Sequence, residues 1–110
     1  MNPKLIDTLT FCKRIGALKL GFDPVKSTLE HGQAKLVLLA KDLSSKSRDS
    51  VLRICQQDGC PAALLPLQMD EIWFLVGKRS GILAVTDAAF AKKLSELLES
   101  VDETNRRDTI

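Results

Sequence analysis

The residues most able to do chemistry in this sequence are its sixteen lysines and arginines, and the chemistry open to them is the binding of anions. They are unevenly spread. Residues 1–48 hold nine of them against four Asp and Glu, whereas residues 49–110 hold seven against ten. A cationic amino-terminal half suits a polyanion partner. Catalysis finds less to work with. There is one histidine, His31, and no glycine-framed serine, phosphate-loop or dinucleotide fingerprint occurs. The run Gly77-Lys78-Arg79-Ser80-Gly81 superficially resembles a phosphate loop. It precedes a strand instead of opening a helix, so no helix dipole faces an anion there, and it reads as a basic turn. Asp70 and Glu71 are adjacent, which on a helix aims them in different directions; they read as first-turn charges. Cys12, Cys55 and Cys60 form no paired framework, and only His31 is available to complete a zinc set. The expectation is reduced thiols, no metal, no cofactor and no enzymatic activity.

Hydrophobic spacing sets the elements that position these groups. Pro3 suits a first helical turn, and Leu5, Leu9 and Cys12 recur at helical spacing, predicting a helix to about Lys13. Residues 15–21, between Ile15 and Gly21, read as a short strand. Asp23 reads as the cap and Pro24 as the first residue of a second helix, with Val25, Thr28 and Leu29 on one face, His31 in its last turn and Gly32 at its end. Lys35 to Ala40 is apolar after the lysine, as a strand covered on both faces must be. A polar, serine-rich connection spans Asp42 to Ser47. A third helix then runs to about Asp58, with Val51, Leu52 and Cys55 inward and Gly59 as its stop. Ala62 to Leu65 is a third strand, Gln68 to Val76 a fourth helix and Gly81 to Thr86 a fourth strand. Asp87 caps a last helix whose Phe90, Leu94, Leu97, Leu98 and Val101 form a stripe.

Strands alternating with helices predict an α/β fold, a three-layer α/β/α sandwich with a four-stranded mixed sheet. Length allows one domain, over residues 1–101, with 102–110 a polar, flexible tail. Apolar residues make up 45% and charged residues 27%, the balance of a folded chain. The longest apolar runs are too short to span a bilayer, and the odd cysteine count without a secretory signal points to the cytoplasm.

The stretch from Gly21 to Asp42, Gly21-Phe22-Asp23-Pro24-Val25-Lys26-Ser27-Thr28-Leu29-Glu30-His31-Gly32-Gln33-Ala34-Lys35-Leu36-Val37-Leu38-Leu39-Ala40-Lys41-Asp42, resembles the ribosomal protein L-seven-Ae and L-thirty-e superfamily, above all its small bacterial YlxQ-like members. The run Leu83-Ala84-Val85-Thr86-Asp87-Ala88-Ala89-Phe90-Ala91 is similar to the same group. The likeness covers roughly residues 4–98. It implies an L-thirty-e-like fold and a ribosome-associated, ribonucleoprotein role in which the loop and helix after the first strand grip kinked RNA, the kink-turn. Such recognition reads backbone shape, because the deep groove of duplex RNA is closed to side chains.

The resemblance also assigns residues. The family's Gly-x-Asn-Glu-x-x-Lys motif falls on Gly21, Asp23, Pro24 and Ser27, so the glycine is kept and three side chains differ. Asp23 cannot donate as an amide does, Pro24 has no acceptor, and Ser27 lacks the phosphate-pairing charge that Lys26 or Lys19 can supply. The motif is thus degraded. The expected RNA-binding set is Lys19, Gly21, Phe22, Asp23, Lys26, Ser27, Lys41 and Asp42 near one end of the sheet. To these is added the loop Pro66, Leu67, Gln68 and Met69, apolar enough to pack on a nucleobase. The expected partner is structured, ribosomal RNA. Trp73 beside Phe74 on a short helix cannot hide both rings. They support a rival expectation: a protein-interaction module, or a homodimer, that kept the fold without kink-turn binding.

Overall fold

The structure, a computed structural model, describes residues 3–100. Val101 and the tail expected at 102–110 lie outside the described residues. Helices alternate with strands: α1 (Pro3–Arg14), β1 (Leu18–Leu20), α2 (Phe22–Glu30), β2 (Leu36–Ala40), α3 (Ser45–Asp58), β3 (Ala62–Leu65), α4 (Met69–Val76), β4 (Ile82–Val85), α5 (Ala88–Leu97) and β5 (Glu99–Ser100). The strands join one sheet of order β1-β4-β2-β3-β5. β2 and β3 run parallel, β4 is antiparallel to both β1 and β2, and β5 is antiparallel to β3. The four expected strands make the mixed sheet, and a two-residue fifth is added at one edge.

The period-two alternation of β2 divides the core in two. Leu36, Leu38 and Ala40 enter one cluster with Leu5, Leu9 and Cys12 of α1, Ile72 and Val76 of α4, and Ala91 and Leu94 of α5. Val37 and Leu39 enter the other with Val25 and Leu29 of α2 and Val51 and Cys55 of α3. Helices therefore cover both faces, which makes the three-layer sandwich. Every residue of β2 is buried, the reason this strand cannot alternate with polar residues. Fully burying each of its leucines contributes about 2 kcal/mol.

Element ends follow local chemistry. Ser44 caps α3, its Oγ accepting from the Ser47 N–H at 3.2 Å, so the helix starts within the stretch expected to be a loop. Asp87 caps α5 by accepting from the Ala89 and Phe90 N–H groups at 2.9 and 3.0 Å. Three further boundaries depart from expectation. Ile15 and Gly16 turn the chain, with the Ala17 N–H donating to the Cys12 carbonyl at 2.9 Å, so β1 begins only at Leu18. Asp23 is not a cap: Gly21 holds that position with φ of 103°, its N–H donating to the Ile82 carbonyl at 2.9 Å, and the helix begins at Phe22. Its third residue is Pro24, whose missing N–H has no intrahelical partner to lose. Finally, α5 stops at Leu97. Leu98 turns extended (φ −124°, ψ 158°), and the next two residues pair with Ala63 and Leu64, a sheet-edge ladder that outcompetes another helical turn.

Candidate nucleic-acid interface

The antiparallel course of β4 brings its start to the edge where β1, β2 and β3 end. Backbone hydrogen bonds join the connections there. Gly21 N–H donates to Ile82, Ala40 N–H to the Gly81 carbonyl at 2.9 Å, and Lys41 N–H to the Leu67 carbonyl at 3.0 Å. Asp42 Oδ1 accepts from the Met69 N–H at 2.9 Å and so fastens the first turn of α4 to the end of β2. Across this rim lie, in order, Gly21, Gly81, Ala40–Lys41 and Leu65–Pro66, a width of roughly 15 Å at the usual strand spacing.

Gly81 is buried where a Cβ would meet Leu43 Cδ1 at 2.8 Å and Met69 Sδ at 3.0 Å. The rim is thus closed beneath by packed side chains. Its solvent side carries Phe22, which is 40% exposed, with Lys26 and Ser27 exposed about one turn further along α2. Asp23 lies in the first turn of the same helix, where a negative charge suits the dipole. Lys41, Asp42, Pro66 and Gln68 are exposed, and Met69 is half-buried. The Gln68 N–H donates to Glu71 Oε1 at 2.8 Å, and Arg79 Nε donates to Asp70 Oδ1 at 2.8 Å, which raises the guanidinium pKa further.

Two expected site residues stand apart. Leu67 has no exposed surface and belongs to the core beside Leu65 and Ile72, so it cannot receive a base; a leucine facing inward between strand and helix gains more from burial than a loop position suggests. Lys19 is exposed on the middle of β1, but it lines a shallow cleft with Gly16, Gly32, Gln33, Lys35 and Thr86 at the opposite end of the sheet. It does not share the rim with Lys41.

The reverse holds for Lys78. Its Nζ comes within 3.7 Å of where a Cβ on Gly21 would stand, which places an ammonium group over the β1–α2 corner. Nothing in its local sequence marks this; only the antiparallel direction of β4 does. Ser80, also in this turn, is buried and ties it down, its Oγ donating to the Ile82 carbonyl at 2.9 Å. On α4 the inward face belongs to Ile72 and Val76, and both rings of the neighbouring pair face out, Trp73 54% and Phe74 90% exposed. Among the described residues no group of three or more His, Cys, Asp or Glu side chains is arranged to hold a metal ion, and no helix is long and apolar enough to cross a membrane.

A rim of this kind on a sandwich of this order defines a class, and residues 4–95 match it: the chain belongs to the ribosomal protein L7Ae/L30e/S12e/Gadd45 family. It is similar to an RNA-binding protein of Bacillus subtilis, YlxQ, with 34% identity over 84 residues that cover 72% of this chain and 79% of that protein. Among solved structures it is similar to a protein from Bacillus halodurans C described as of unknown function. The TM-score there is 0.80 at 25% identity, covering 87% of this chain and 97% of that one.

Proposed function

We propose that this chain binds structured RNA of the ribosome, of kink-turn type, through the rim at the carboxyl ends of β1, β2 and β3. What supports the reading is Lys78 Nζ standing over Gly21, with the exposed Lys41 just past the end of β2 and the exposed Lys26 in the helix that Gly21 begins. Family membership and the likeness to YlxQ support it. Ammonium groups meet phosphates, the half-exposed Phe22 ring stacks on an unpaired base, and the N-terminal turn of α2 offers its free N–H groups to the backbone. Asp23, Pro24 and Ser27 leave few donors for base edges, so affinity rests on charge and shape.

Fluorescence anisotropy with a kink-turn RNA, against a straight duplex of equal length, tests this. Wild type is expected to prefer the kinked RNA and to lose affinity steeply with salt. Lys41→Ala combined with Lys78→Ala should flatten the log–log salt slope by about 1 for each phosphate left without its lysine. Lys19→Ala, at the other end of the sheet, should change little. Unaltered affinity in the double variant rejects the rim.

A second reading rests on Trp73 and Phe74, two adjacent aromatic rings in solvent on one helix. They suit a protein partner or a second copy of the chain. Light scattering over a concentration series, with Trp73 fluorescence followed during RNA addition, separates the readings. A concentration-dependent dimer whose fluorescence ignores RNA supports the second; a monomer with RNA-dependent fluorescence removes it.

A further inference from the structure

Cys55 and Cys60 are brought together by the way α3 ends. Gly59, in the left-handed region at φ of 67°, reverses the chain, and the Cys60 N–H donates back to the Cys55 carbonyl at 2.9 Å. This closure stacks the side chain after the turn on the one it bonds to. Both side chains pack into the cluster beneath α2 and α3. They differ in access. Cys55 is buried, whereas Cys60 is partly open to solvent, with its Sγ 3.5 Å from the carbonyls of Ala34 and Pro61. Cys12 lies on the other side of the sheet, in the cluster of α1, α4 and α5, and cannot reach either.

We infer that Cys55 and Cys60 form a peroxide-sensitive dithiol, with Cys60 the attacking sulfur and Cys55 the resolving one. The neighbouring Cys55, and after it Lys35, lower the Cys60 pKa, while burial and Asp58 oppose. Its neighbour Cys60 and burial make Cys55 harder to ionise. The Cys60 thiolate attacks a peroxide oxygen: an S–O bond forms, the O–O bond breaks, and the departing oxygen takes a proton and leaves as water. Cys55 sulfur then attacks the sulfenic sulfur. The S–S bond forms, the S–O bond breaks, and hydroxide leaves with the Cys55 proton as a second water. Two thiols lose two electrons and hydrogen peroxide gains them. The helix-end bond holds the two backbones together, so a bridge between the side chains closes only a short loop.

The test is mass spectrometry of the full chain treated with a small excess of hydrogen peroxide, with thiols counted before and after. The expected product is a monomer lighter by two hydrogens, its accessible thiol count under denaturation falling from three to one, with a peptide cross-link between positions 55 and 60. Cys12→Ser should form the same bridge. Cys60→Ala, at a partly exposed site, should keep the wild-type circular dichroism and lose the bridge. Oxygen added at Cys60 without the bridge, a dimer linked through Cys60, or three thiols remaining after treatment each overturns the inference.

Discussion

Asp42, expected to touch RNA, also ties two elements together at the exposed rim. Its carboxylate is occupied by the Met69 N–H, one of the donors that the first turn of α4 leaves without an intrahelical partner. Asp42→Ala should therefore cost about 1 kcal/mol of stability, and Asp42→Asn, which keeps an acceptor oxygen, much less. Urea denaturation of the two variants measures the difference; equal losses would mean that charge rather than the hydrogen bond matters. Lys78 shows the converse, a residue read as part of a plain basic turn that reaches the glycine at the start of α2. Sequence spacing could propose Gly21, Phe22 and Lys41, because each sits beside a recognisable element end. It could not propose Lys78, whose place depends on a partner strand far away in the chain.

Elements were legible wherever a cap or a stop had its own chemistry. Asp87 before Ala88 and Gly59 after Asp58 mark helix ends by side-chain acceptor and by left-handed backbone, and both do so here. The two hydrogen bonds of Asp87 predict that Asp87→Ala costs about 1–2 kcal/mol, read as a lower thermal midpoint and earlier amide exchange in α5. Asp87→Ser retains a capping hydroxyl and should show only part of that loss. Less legible was the carboxyl end of α5. The stripe through Leu94, Leu97 and Leu98 continues the helical period, yet the backbone turns extended at Leu98 to pair with β3. A two-residue ladder leaves no pattern in sequence; it exists because β3 would otherwise show an unpaired edge. Asp23 misled for a related reason. Asp followed by Pro is what a helix start looks like, but the glycine two residues earlier was already committed to β4.

At the scale of the molecule, the fold class followed from alternation and the burial of β2, whereas strand order did not. The uneven charge along the chain suggested one cationic end. In space the cations of the amino-terminal half part: Lys41 lies at the strand-end rim, where Lys78 of the other half joins it, while Lys19 and Lys35 line the far cleft. Net charge is only +2, so long-range attraction of an RNA is weak, and whatever grip the rim has acts within a Debye length of roughly 8–10 Å. The far end has another consequence. The outermost strand beyond β4 is three residues long, and its central side chain is an ammonium group in water. The opposite flank is closed at Ala63 and Leu64 by the chain itself. A neighbouring molecule drifting in sideways meets, among the described residues, only short edge strands and on one of them a charge, a poor template for copies to zip into fibrils.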